Sequence, residues 1–598
     1  MISLTLRKIQ VMKKYSLLLS AACFSICAVA RENSGVVTPT HPVQTLAVNC
    51  APGMASVDLD ISNVRARLLQ SGNMWYDPTN TIPNYEVPKN SGKNSMYAGA
   101  LWFGGVDAGG QIKVATQTYW QTGTDFWPGP LDTTSASITA GQCLYYDQFW
   151  KVSKQNVIDF VNTGVATPEI LTWPGNGNAS FNETHFLAPF FDNNGDGIYN
   201  TNDGDYPYFD LTGASGNCNE VLHGDQSIWW VFNDEGNVHA SGTGPIGLEI
   251  QAQAFAFVTT SEAINNTTFY RYKIINRSSA ALNQTYFGQW IDPDLGFFND
   301  DYVGCDVNRG MGYCYNGDSI DDLPDGYGAN PPAIGVDFLE GPLADPGDGI
   351  DNDRDGTIDE AGEQIIMSKF ICYDNNNNPV NGNPVGFQGC LNYLHGHWQN
   401  GPPMTYGGNG SSGGTNYCDF MFPDDTDTSY FSTLGAWSEV TEANTGGDRR
   451  FVQSAGPFTL QPGSVNYITV AVIWARDTLA GASLDSLKAA DNIIQQLYDS
   501  CFMLAAFTSV NELDINDNLN VTISPNPFSD QTLIDFNYSA KDEFSFVLYD
   551  VQGKKVREIK NIKSGKLVLR KENLGSGVYF FKLENNKDKS GSGQLIVE

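Results

Sequence analysis

Leu248-Glu249-Ile250-Gln251-Ala252-Gln253-Ala254-Phe255-Ala256-Phe257-Val258-Thr259-Thr260 is the stretch that decides the fold class. Ile250, Ala252, Ala254, Ala256 and Val258 fall on every second position, the period at which a pleated strand sends side chains to one face. Ile228-Trp229-Trp230-Val231-Phe232 precedes it, and residues 269–275 and 286–290 follow it, all short and rich in β-branched or aromatic side chains. Asp234-Glu235-Gly236-Asn237 and Asn276-Arg277-Ser278 interrupt these runs with turn-forming residues. The four runs are expected to be successive strands of one antiparallel sheet. The expected fold is mainly β, an antiparallel β-sandwich carrying long loops.

Outward from this sheet, residues 50–132 are loop-rich, with Met74-Trp75-Tyr76, Leu101-Trp102-Phe103 and Phe126-Trp127 as aromatic anchors of irregular β structure. Strands are expected again at 451–454, 458–460 and 465–474. One helix is expected over 483–498, where Leu484, Leu487, Ile494, Leu497 and Tyr498 approach helical spacing and Ser483 stands as a cap. Between Asp318 and Gly414, Gly, Asn, Asp and Pro dominate; the region is too long for an ordinary loop and reads as functional or stiffened by an ion. The expected domains are a loop-rich β region at 31–227, a central β-sandwich at 228–505, a polar linker at 506–520 and a small unit at 521–598.

Charge separates these parts. The whole chain holds 34 basic and 67 acidic residues. Residues 520–598 hold 12 basic and 10 acidic, whereas residues 31–519 hold 18 basic and 57 acidic. So acidic a surface repels nucleic acid and anionic lipid and suits cations. A hydrophobic content of 41% is ample for a packed core.

Calcium is the expected cofactor, because oxygen side chains recur at the spacing that wraps a hard cation. In the first loop, Asp192, Asn194, Asp196, Asn200 and Asp203 occupy positions 1, 3, 5, 9 and 12, Gly197 position 6, and Ile198 offers a carbonyl at 7. No flanking helices are evident, so the loop and not the EF-hand fold is inferred; an Asn/Asp-rich turn without metal is the alternative. In the second, Asp348-Gly349-Ile350-Asp351-Asn352-Asp353-Arg354-Asp355-Gly356-Thr357-Ile358-Asp359-Glu360, the expected ligands are Asp351, Asp353, Asp355, Thr357, Asp359 and Glu360, with Glu360 or Glu363 closing the shell. Carboxylates this close repel one another without a cation. A third acidic set, Asp292, Asp294, Asp300, Asp301 and Asp306, reads as calcium ligands, as plain turn, or as a carboxylate pair for glycoside hydrolysis.

Other motifs are weaker. His395-Gly396-His397 could turn two imidazoles toward a transition metal, without an H-E-x-x-H to accompany it. Gly410-Ser411-Ser412-Gly413-Gly414 spells G-x-S-x-G, but no strand or helix flanks it as a nucleophile elbow requires. Trp229, Trp230 and Trp398 are either core or platforms for sugar rings. Nine of the 11 cysteines lie beyond residue 30 and show no C-x-x-C spacing; disulfides are expected, with Cys305–Cys314 and Cys372–Cys390 best placed by proximity in sequence.

Met12-Lys13-Lys14, the apolar run 15–29 and Ala28-Val29-Ala30 form the three regions of a signal peptide over 1–30, predicting a mature start near Arg31 and an oxidising destination. At the other end, Ser524-Pro525-Asn526-Pro527-Phe528, Leu548-Tyr549-Asp550 with Gly553-Lys554, Gly577-Val578-Tyr579 and the closing Leu595-Ile596-Val597 punctuate short apolar runs, the pattern of a small β-sandwich. This succession resembles the C-terminal sorting domain of cargo for the type IX (Por) secretion system, and the phrases HGDQSIWW and GYGANPPAIGVDF upstream resemble large cargo proteins carrying that tail. The resemblance implies recognition of 521–598 by the type IX machinery, a secreted or outer-surface location on a Gram-negative bacterium, and cleavage near the tail with attachment to surface lipopolysaccharide. The expected role of the passenger is structural, adhesive or glycan-binding. The rival expectation is an extracellular polysaccharide hydrolase using Asp292, Asp294, Asp300 or Asp301 as acids.

Overall fold

The computed structural model describes residues 49–119, 123–211, 218–411, 414–504, 521–536, 543–550, 554–585 and 590–597. The expected signal peptide and the linker at 506–520 lie outside them. The chain divides into two compact units between Phe502 and Met503, so residues on both sides of position 228 belong to one unit.

The alternating run becomes β3 (Leu248–Ala256), paired antiparallel with β2 (Gln226–Asn233) and β4 (Thr267–Asn276). Ala252 lies between Trp230 and Tyr272, and Ala254 between Ile228 and Tyr270, so small residues make room for large ones on neighbouring strands. The fourth expected strand departs from this sheet. β5 (Leu282–Asp292) pairs instead with β1 (Ala98–Asp107) and β10 (Arg449–Leu460) in a second antiparallel sheet. The corner is set by Asn276, whose Nδ2 donates to the carbonyls of Ala280 (2.9 Å) and Leu460 (3.0 Å) and turns the chain out of the first layer. The runs at 451–454 and 458–460 are one strand within β10.

β11 (Val465–Ala475) returns beside β4 and is followed in that nine-stranded sheet by β8 (Ala333–Glu340), β7 (Met311–Asn316) and β6 (Asp301–Asp306). In the ten-stranded sheet, β9 (Lys369–Asp374) pairs with the outer edge of β10. Regular structure is therefore richer between 318 and 414 than expected. All eight residues of β8 are buried, and its glycine and aspartate, which read as turn residues, lie inside the sheet.

The two sheets face each other across one apolar cluster drawn from both. Phe287 of β5 meets Phe338 of β8 with ring centroids 5.4 Å apart, and Trp75 Nε1 donates to the Tyr270 hydroxyl at 2.8 Å. Gly312 of β7 donates its N–H to Gln453 Oε1 of β10 at 3.1 Å, and an added Cβ there would stand 2.5 Å from that oxygen. Glycine is what allows the layers to approach at this point.

The described helices are α1 (Ala140–Tyr146), α2 (Lys154–Thr163), α3 (Pro168–Leu171), α4 (Glu262–Asn265), α5 (Gly386–Leu394), α6 (Thr428–Leu434) and α7 (Ser483–Asp499). The one expected helix is thus the longest of several. Ser483 does not cap it: its hydroxyl donates to the Pro331 carbonyl and accepts from Asp477 N–H, while Ala482 stands at the cap. In the C-terminal unit, strands Val521–Ser524, Gln531–Phe536 and Lys566–Arg570 form one sheet, and Phe544–Asp550, Lys555–Ile562, Gly577–Asn585 and Ser590–Val597 another. Both supply its core, which includes Ile534, Phe536, Phe546, Leu548, Phe581 and Leu595.

The expected cysteine pairs do not form. Disulfides join Cys50 to Cys143 and Cys218 to Cys501, spanning 93 and 283 residues. Cys314 lies opposite Val303 and Cys305 opposite Gly312, so the two thiols sit on the diagonal of adjacent strands, a separation too long to bridge. Cys372 is on β9 and Cys390 on α5, both buried and not joined to each other. Proteolysis without reduction should therefore release peptides linking Cys50 to Cys143 and Cys218 to Cys501; a linked Cys305–Cys314 peptide would contradict the fold.

Candidate metal centre

Residues 348–363 connect β8 to β9. The loop is closed at its base by backbone bonds from Ala344 N to the Glu363 carbonyl (2.9 Å) and from Ile365 N to the Pro342 carbonyl (2.8 Å). Within it, carboxylates organise their own backbone: Asp351 Oδ2 accepts from Gly356 N, Asp353 Oδ1 from Asp355 N, and Asp355 Oδ1 from Thr357 N. Arg354 has a left-handed backbone, φ 61°, and its guanidinium donates to the Val307 and Met367 carbonyls, over the Phe420 ring. This pins the loop to the sheet.

Ligand oxygens of Asp351, Asp353 and Asp355 lie within 4.8 Å of one another, as do those of Asp353, Glu360 and Glu363. The two groups share Asp353. Oxygens bound to one calcium at about 2.4 Å stand no more than about 4.8 Å apart, so each group has the spacing of a shared ion. Asp351 Oδ1 and Glu360 Oε2 are shielded from solvent and receive no hydrogen bond. The backbone amide of Glu360 favours its ionised form, but desolvation and the charges of Glu363, Asp353 and Asp355 outweigh this and raise its pKa. Glu363, almost fully buried, accepts from Asn352 N and is the inner wall. Asp359 and Thr357 lie outside both groups; Asp359 Oδ1 accepts from Gly349 N and fastens the start of the loop.

The first loop is folded around its own amides. Asp192 Oδ1 and Oδ2 accept from Gly195 N and Gly197 N, both at 2.7 Å, while Asp196 Oδ1 accepts from Ile198 N. Asn200 Nδ2 donates to Asp203 Oδ2 at 2.6 Å, and Asn194 Nδ2 to Asp196 Oδ2 at 2.9 Å. Its three carboxylates do not converge as those of the second loop do. Asp205, which the sequence pattern passes over, is fully buried and clasps both ends by accepting from Asn193 N and Asn200 N, each at 2.9 Å.

The third acidic set divides. Asp292 and Asp294 meet Asp448, with ligand oxygens within 4.8 Å of one another; Asp448 lies 154 residues from Asp294, so only the pairing of β5 with β10 brings it there. Arg450, fully buried, donates to Asp292 Oδ2 (3.2 Å), the Tyr119 hydroxyl (2.7 Å) and Asn383 Oδ1 (3.3 Å). Asp301 accepts from Leu295 N, Asp300 from Asp322 N, and Asp306 pairs with Arg309, so the set does not act as one site. Burial first, and then neighbouring carboxylates, raise the pKa of Asp301 well above the ordinary range.

His395 and His397 have ring centroids 6.4 Å apart; burial pushes His395 down to about 4, with His397 and Lys369 adding to the shift. Neither joins a ligand group among the described residues. Trp229, Trp230 and Trp398 are at most 3% exposed and belong to the core. Ser412 and Gly413 of the G-x-S-x-G run lie outside the described residues.

Residues 522–598 match the family described as the secretion system C-terminal sorting domain. The chain is therefore type IX secretion cargo, exported to the cell surface or beyond and recognised by that machinery through its tail. No curated protein matches it. A solved polysaccharide lyase aligns over 58% of this chain and 34% of its own length at 9% identity, with a TM-score of 0.17, a likeness that carries no argument.

Arg450→Ala leaves Asp292 buried without its cation and should cost about 3–5 kcal/mol. Urea unfolding of the full chain checks it; a loss under about 1 kcal/mol would show that the ion pair does not hold the strand ends.

Proposed function

We propose that this cargo protein is an exported calcium-binding β protein whose passenger has a structural, adhesive or glycan-binding role outside the cell. The observation that carries the calcium reading is the meeting of Asp351, Asp353, Asp355, Glu360 and Glu363 in two groups that share Asp353. Oxygen-only donors favour calcium over zinc or copper. The ion would set the shape of a 348–363 loop whose carboxylates otherwise repel. The 192–203 loop, with its ligand-like order of Asp192, Asn194, Asp196, Ile198, Asn200 and Asp203, is the second proposed site. The hydrolase reading draws less support, because Asp292 is fully buried and held by Arg450.

Calorimetric titration of the full chain with calcium should show binding that weakens on Asp353→Asn, the residue common to both groups. At 100 times the dissociation constant the ion stabilises the fold by about 2.7 kcal/mol, so chelator should lower Tm, and magnesium should restore it poorly. No binding heat, together with a Tm indifferent to chelator, would overturn the reading.

We further propose that the tail is removed between residues 510 and 520 and the passenger attached to surface lipopolysaccharide. Deleting residues 521–598 should leave the passenger in the periplasm, followed by fractionation and immunoblot; normal surface levels of the truncated protein would refute tail-directed export.

A further inference from the structure

Helix α7 buries Leu487, Ala490, Asp491, Ile494 and Leu497 along one stripe, and Asp491 is the anomaly in it. It is 3% exposed and interacts with Asp337 of β8, itself 1% exposed. Both carboxylate oxygens of Asp337 and Oδ1 of Asp491 are shielded from solvent, and no N–H or hydroxyl donates to them.

The surrounding charges do not resolve this. Arg309 places Nε 3.2 Å from Asp491 Oδ2 and Nη1 3.2 Å from Asp306 Oδ2, and Lys488 Nζ stands 4.0 Å from the latter oxygen. Two cations thus serve three buried carboxyls, with Asp424 adding negative charge near Asp306. Asp353, Asp355 and Asp499 line the cavity of about 490 Å³ that Asp491 borders. Two carboxylates packed together in a low-dielectric setting do not both ionise. The missing donor is a proton. Burial raises both groups; Asp337 is raised further by the charge of Asp491 and by donating to it, which makes Asp337 the protonated partner.

We propose that one proton shared between the Asp337 and Asp491 carboxyls latches helix α7 onto the sheet, and that the helix loosens when the pair loses it. The folded chain holds this proton at pH values where the unfolded chain has released it. Stability therefore falls as pH rises from the ordinary aspartate range to the titration of the pair, and levels off above that.

The test compares unfolding of the full chain with Asp337→Asn between pH 4.5 and 9, in chelator throughout so that cation binding plays no part. The asparagine amide donates to Asp491 without a titrating proton. Relative to the variant, the wild-type unfolding equilibrium constant should rise about tenfold per pH unit across the window, the signature of one linked proton. Hydrogen exchange across residues 483–499, corrected for intrinsic rates, should lose protection with pH in the wild type alone. Asp491→Asn, whose amide N–H donates to an ionised Asp337 so that no proton has to be held, should give the same result if Asp337→Asn does not fold. Parallel pH profiles for wild type and either folded variant would overturn the latch.

Discussion

Carboxylate in excess of cation is the constraint to which the rest of this structure answers. With 57 acidic and 18 basic residues between positions 31 and 519, acids far outnumber the cations available to pair with them, yet many lie in the interior. A buried carboxylate without a donor or counter-charge costs several kcal/mol, so each must be matched locally. Arginine serves several of the buried ones. Arg277 donates through two nitrogens to fully buried Glu249, Arg271 reaches Glu340, Arg449 holds Glu439 and Arg450 holds Asp292. The planar fork suits this work because one side chain satisfies several acceptors at once.

Histidine provides a second solution. His239 lies 3.7 Å from both Asp125 and Asp234, and its two ring nitrogens meet the carbonyls of Val114 (2.9 Å) and Asp234 (2.7 Å). Carbonyl oxygens only accept, so both nitrogens donate and the ring is a cation between two acids. Although burial opposes the charge, the two carboxylates prevail and its pKa is raised. Backbone amides provide the third solution, in the Asp192 and Asp205 clasps of the first acidic loop. Where these devices run out, at 348–363 and between α7 and β8, a metal ion and a proton are the proposed remedies.

The C-terminal unit meets a different constraint. Its balanced charge leaves lysines to pair on the surface, as Lys566 does with Asp535 and Lys582 with Glu584. Its described core is drawn mainly from its own two sheets.

The period-two run at 248–260 determined by itself that the passenger is β, because alternation is a local property of a pleated strand. The runs from Leu548 to Val597 likewise marked tail strands, and the spacing of Asp351, Asp353 and Asp355 marked carboxylates that converge within one turn of chain. Glu363 was legible only as an alternative to Glu360, since a loop reversal and not spacing carries it inward. Tertiary structure alone decided what depends on strand order. It moved β5 into the opposite sheet at the Asn276 corner, placed Asp448 beside Asp292 and Asp294, joined cysteines 283 residues apart and set Asp491 against Asp337. Each of these contacts joins residues far apart in the chain, and no local pattern encodes which distant strands will pair.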